Sequence, residues 1–168
     1  MSSGVEQARL PARWEPVARR AVDLLVVVIA LLVLAIPMLL IAMVIMLGTP
    51  GPALYRQQRL GRGARPFTMY KFRTMRTGGS DAQHRELIAR ELRGEDTSVN
   101  GSWKIDSDPR VTRIGSILRR TSIDELPQLL NVLRGHMSLV GPRPCLDWEA
   151  EMFPARFAER FEVPPGLT

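Results

Sequence analysis

The sequence predicts a small mixed α/β domain on an N-terminal membrane helix, and three observations predict it. From Leu24 to Leu47 every residue is apolar. Two short segments, 53–58 and 67–75, have strand character and are joined across Gly61-Arg62-Gly63. Beyond residue 110, apolar residues recur at helical spacing among arginines and acids. At 168 residues there is room for one modest domain beside the apolar run. The formal charge is +6, and of the 23 basic residues only Lys71 and Lys104 are lysines. Such an arginine surplus suits planar, bidentate recognition of phosphate, and equally suits anionic lipid or nucleic acid. The single cysteine, Cys145, excludes an internal disulfide, and with two histidines offers no zinc cluster. A reducing compartment follows for the working domain.

Residues 1–20 read as a basic arm, loose or interfacial, ending in Arg19-Arg20. The membrane segment is placed at 21–50, since 24 helical residues rise about 36 Å against a hydrocarbon core of about 30 Å. Arginines flank it on both sides, and Pro37 stands at its middle. Both features favour a helix that bends at Pro37 and returns to the same face, although a kinked crossing stays open. A Gly/Pro turn at 48–52 leads to the catalytic unit, 51–168. On the second strand, Lys71 and Arg73 are expected on one face to meet an anion, with Tyr70 and Phe72 packing on the other. An exposed helix is expected over 81–93, with His84 at its surface, then an irregular stretch over 94–109 that includes an Asn100-Gly-Ser sequon. A helix over 110–120 follows, with Val111, Ile114 and Leu118 inward. Trp148, Met152, Phe153, Phe157 and Phe161 outline a last, amphipathic helix.

The stretch from Thr121 to Pro144 reads as the active site. Ser122-x-x-Glu125 has the spacing of a capping box, with Leu126, Leu129, Leu130 and Leu133 as a buried stripe. Pro127 sits too deep for a regular helix, so the start must be distorted or begin later, at Asp124. Either way Asp124 faces the positive end of a helix, close to Arg113, Arg119 and Arg120, which keeps it ionised. Alone, Asp124 and Glu125 would be read as capping acids. Their company changes that reading: arginines precede them, and Gly141-Pro142-Arg143-Pro144 follows.

Tyr70-Lys-Phe-Arg-Thr-Met75, Asp108-Pro-Arg-Val-Thr-Arg113, Ser122-Ile-Asp-Glu-Leu126 and Met137-Ser-Leu-Val-Gly-Pro-Arg-Pro144 fall in one order behind the apolar helix. The chain thereby resembles, over about residues 17–168, the bacterial sugar transferases, the monotopic phosphoglycosyl transferases. The resemblance implies a re-entrant membrane helix, the cytoplasmic face of the bacterial inner membrane, and transfer of a sugar-1-phosphate from a UDP-sugar to a polyprenol phosphate such as undecaprenyl phosphate. It further implies Mg²⁺ as cofactor, membrane lipid as surroundings, and no nucleic acid. By motif, Asp124 matches the aspartate nucleophile, Glu125 its partner at the metal, and Arg143 the arginine that contacts the diphosphate. Arg119 and Lys71 match basic positions of that site, with Arg73 beside them. His136 stands where the family often has an acid, Ile36 where some members have serine. The chain ends at Thr168 where members run on, so it reads as a fragment. Two other readings stay open: a membrane-tethered basic module without chemistry, and a one-step transferase in which the two acids only hold metal.

Overall fold

A computed structural model describes residues 15–76, 110–153 and 155–167. The expected helix at 81–93, His84, the stretch 94–109 and residues 1–14 of the arm lie outside the described residues. Helix α1 spans Glu15–Gly48 and stays helical through Pro37. It starts earlier than the apolar run, so Arg19 and Arg20 belong to its first turns and not to a separate arm. Strands β1, Leu54–Leu60, and β2, Pro66–Phe72, form an antiparallel hairpin in which Leu54 pairs with Phe72 and Leu60 with Pro66. Helix α2 covers Arg113–Arg120, a 3₁₀ segment Ile123–Gln128 runs into the short α3, Leu129–Leu133, and α4 covers Asp147–Met152 before a 3₁₀ segment at Ala155–Phe161.

Several boundaries depart from the sequence expectation for local reasons. Helix α2 begins three residues late because Val111 bridges to Met75 and the Thr112 hydroxyl caps the helix, accepting from the Gly115 N–H at 2.9 Å. The last amphipathic helix stops at Met152; Phe153 is extended, as a residue before proline prefers, and Met152 and Phe157 are exposed. The predicted stripe on α3 is also shifted. Leu129 is buried, but Leu133 is exposed, and Asn131 and Val132 are fully buried in its place.

One long helix serves two parts of the core. Val27 packs with Phe67, Met69, Leu129, Val132 and Met137, while Ile45 packs with Ala53, Phe72 and Leu118. Leu126 touches both clusters. Between them Leu31, Leu34, Met38 and Ile41 are partly buried at helical spacing, so α1 adheres to the domain along one side. Its other side leaves Leu25, Ile29, Leu32, Ile36, Leu40 and Leu47 exposed. Polar contacts fix both ends. Arg20 donates to the carbonyls of Val132 and Leu133 at 2.6 and 3.0 Å, and buried Asp23 accepts from the Ser138 hydroxyl at 2.6 Å. At the far end, Arg73 holds the carbonyls of Thr49 and Pro50 at 2.7 Å each.

Asn131 ties the hairpin to α3. Its side-chain amide donates to Thr68 O at 2.7 Å and its carbonyl oxygen accepts from Tyr70 N at 3.0 Å, both on the edge of β2 that β1 does not cover.

Candidate active site

The turn bearing the two acids is made by the end of α2. The Thr121 hydroxyl donates back to Ile117 O, Ser122 takes a left-handed conformation at φ 57°, and the chain tightens into the 3₁₀ segment. No capping box forms at Ser122, whose side chain makes no cap bond. The Glu125 carboxylate is engaged elsewhere: Lys71 Nζ lies 2.7 Å from Oε1. The distortion expected from Pro127 is present as the 3₁₀ geometry, in which neighbours diverge by about 120°. Asp124 accordingly turns inward, 7% exposed, while Glu125 stays at the rim.

Lys71 reaches Glu125 from the packing face of β2. Phe67 and Met69, which share its side of the strand, lie in the core, so that face is not split from the packing one as expected. Lys71 is its last residue, beyond the edge of the core. Arg73 does not share this position. The strand ends at Phe72, alternation lapses, and the buried Arg73 guanidinium is committed to the Thr49–Pro50 turn, including Thr49 Oγ1 at 2.8 Å. Its role here is to hold the end of α1.

Arg143 sits on a separate loop whose backbone is fixed at consecutive residues. Pro142 O accepts from Gly166 N at 2.9 Å, Arg143 O from the Arg160 guanidinium at 2.7 Å, and Pro144 O from Arg59 Nη1 at 3.3 Å. Cys145 O accepts from Leu60 N, and Leu146 N donates to Glu149 Oε2, both at 2.8 Å. The Arg143 side chain is exposed above this anchored backbone. Gly141 lets the loop approach the Pro164–Gly166 segment, since an added Cβ would meet Pro164 O at 2.6 Å.

Arg59 and Glu149, which the sequence reading passed over, are both buried and lie 3.5 Å apart. Burial pulls the Arg59 pKa down and the Glu149 carboxylate opposes that pull. Arg59 was legible as the third member, after Tyr55 and Gln57, of an alternating row on β1; the row faces Lys71, Met69 and Phe67 across the hairpin. That row joins the two halves of the site. From Lys71 to Phe67 is about 13 Å along the strand, with the acids at one end and the Arg143 loop at the other. Arg119 is in the last turn of α2, five residues before Asp124. His136 is exposed, its ring 5.8 Å from that of Phe67.

The donor set fits magnesium better than a softer metal. Two adjacent carboxylates, Asp124 turned inward and Glu125 at the rim beside Lys71, are hard oxygen ligands. Magnesium takes one or two carboxylates and completes its shell with water and substrate phosphate.

The family model of the bacterial sugar transferases matches residues 14–168. The chain belongs to that family. This bacterial sugar transferase is 48% identical over 165 residues to the UDP-glucose:undecaprenyl-phosphate glucose-1-phosphate transferase of Caulobacter vibrioides, covering 91% of the chain and 55% of the relative. It is 48% identical over 160 residues to the exopolysaccharide production protein PSS of Rhizobium leguminosarum bv. phaseoli, covering 90% and 71%. A putative undecaprenyl-phosphate N-acetylgalactosaminyl 1-phosphate transferase of Bacillus subtilis is 41% identical over 151 residues, covering 89% and 70%. The chain thus spans about half the length of the Caulobacter protein and about seven-tenths of the other two.

Proposed function

We propose that this sugar transferase moves a sugar-1-phosphate from a UDP-sugar to a polyprenol phosphate at the cytoplasmic face of the bacterial inner membrane, opening the assembly of a surface glycan. The observation that carries this reading is the acid pair in a family member: buried Asp124 beside Glu125, with Lys71 at 2.7 Å from Glu125. Names of relatives that act on undecaprenyl phosphate support the acceptor class.

In this mechanism an Asp124 carboxylate oxygen attacks the phosphorus that bears the sugar. The bond from that phosphorus to the bridging oxygen breaks, and UMP leaves with the electron pair. An acyl-phosphate links sugar and enzyme. A phosphate oxygen of the polyprenol phosphate then attacks the same phosphorus and releases the Asp124 carboxylate. Lys71 fixes Glu125 at the rim, and Arg143 offers a guanidinium fork to the diphosphate from a rigid loop. Asp124 and Glu125 would hold Mg²⁺, which when bound neutralises charge on the diphosphate.

The docking of α1 supports a helix that does not cross the bilayer. Its first turns bind residues 132–140 and the Thr49–Pro50 turn that follows its last residue binds Arg73, and both partners belong to one domain. The exposed apolar side then faces lipid, and the domain stays on one side of the membrane.

The test is intact-protein mass after incubation with UDP-sugar and Mg²⁺ in the absence of acceptor. The expected result is an adduct of one phosphosugar with release of UMP, both lost in Asp124→Asn. Turnover without an adduct, with Asp124→Asn still active, would leave the carboxylate as a cap or a metal ligand.

A further inference from the structure

A cavity of about 450 Å³ lies where α1, the end of the hairpin and α2 meet, lined among others by Ile45, Gly48, Arg76, Thr112, Arg113 and Ile114. Backbone pairing builds it: Thr112 N donates to Thr74 O at 3.0 Å, and Arg76 N to Arg110 O at 2.9 Å. These bonds bring Arg76 and Arg113 to one opening, at the positive end of α2. Both arginines are exposed, and among the described residues no carboxylate forms an ion pair with either. Nothing in the proposed transfer uses them. The cavity sits at the end of an apolar surface. Leu47 of α1 is 81% exposed, and Ile117, one turn after Arg113 on α2, is 63% exposed. Arginine and isoleucine side by side on a short helix, next to the end of a lipid-facing one, is the pattern of an interfacial surface.

We propose that this cavity binds the phosphate of an anionic phospholipid headgroup, taken from the leaflet in which α1 lies. The proposal rests on the membrane reading of α1 given above. The polyprenol phosphate is the other lipid phosphate available, but the cavity opens at the first residue of α2 and Asp124 lies beyond its last. Arg113 and Asp124 flank α2 at its two ends, and neither Arg76 nor Arg113 has a part in the proposed transfer, so the phosphate held here is assigned to a lipid other than the reacting one. The ligand is therefore a bystander lipid that fixes the depth and tilt of the domain.

The test is flotation of the whole chain with phosphatidylcholine vesicles, plain or containing phosphatidylglycerol or undecaprenyl phosphate. The wild-type chain should bind plain vesicles through α1 and bind phosphatidylglycerol vesicles more tightly. Arg76→Gln with Arg113→Gln should keep the first and lose the second, by about fivefold for each arginine and roughly twenty-five-fold for both. Removing the same charge from the hairpin turn, as Arg62→Gln with Arg65→Gln, should leave most of the preference in place. Equal losses in the two double variants would overturn the cavity in favour of bulk charge. A loss confined to undecaprenyl phosphate vesicles would overturn the phospholipid assignment. Failure of the wild-type chain to bind plain vesicles would instead strike at the membrane reading of α1.

Discussion

Asn131 does with one side chain what a third strand would do with its backbone, giving a donor to Thr68 O and an acceptor to Tyr70 N. Asn131→Ala leaves two backbone groups without those bonds in a fully buried place. The expected loss is about 2–4 kcal/mol of stability, read as a lower midpoint in chemical unfolding. Arg143 is a different case, because its backbone is fixed and its side chain is exposed. Arg143→Lys retains the charge but not the fork. A loss of about 1.5–3 kcal/mol of transition-state binding, tenfold or more in kcat/KM for the UDP-sugar, should appear without a change in unfolding midpoint. Burial pushes the Cys145 thiol up, with Arg160 opposing. The thiol therefore stays protonated at neutral pH and should resist alkylation in the folded chain. The sign for stability follows: above the ordinary thiol value of 9.0 the native state keeps a proton that the unfolded chain releases. Stability should fall as pH rises through that range, and a cysteine-free Cys145→Ala chain should lack this part of the decline.

At the level of elements, the loop carrying Arg143 depends on a buried ion pair between strand and helix, Arg59 and Glu149. Glu149→Gln leaves a buried guanidinium without its counter-charge and should cost about 3–5 kcal/mol, with kcat/KM falling as the loop loosens. Arg59→Met with Glu149→Leu should be less destabilised than either single change, a coupling that thermal melts of the four proteins would measure. Much of this architecture was legible in the sequence. The apolar helix, the hairpin, α2 and the Asp-Glu turn all exist where periodicity and punctuation call for them, although α1 starts earlier and β2 and α2 are shorter than expected. What escaped did so where tertiary contact overrode a local pattern. Ser122-x-x-Glu125 spells a capping box, but Lys71 takes the carboxylate. Lys71 and Arg73 share a face only while the strand lasts, and it ends between them. Glu149 reads as the polar side of an amphipathic helix because nothing near it in sequence announces a buried arginine from β1.

For the molecule as a whole, α1 decides how the domain meets the bilayer. If both of its ends remain with the domain, single cysteines introduced at Val17 and Pro52, with Cys145 buried, should react with an impermeant reagent from the same side of the membrane. Labelling from opposite sides would mean that the polar clamps at Arg20, Asp23 or Arg73 open on insertion. The closed arrangement also bears on how the protein is made. A crossing helix requires one flank, here bearing Arg19, Arg20 and Asp23, to be carried through hydrocarbon, where each charge costs about 2.5–3.5 kcal/mol at the midplane. A helix clamped at both ends has no flank to export. In that proposed arrangement the described domain can complete its fold in the aqueous compartment and settle onto the membrane from that side, with neither flank of α1 carried across.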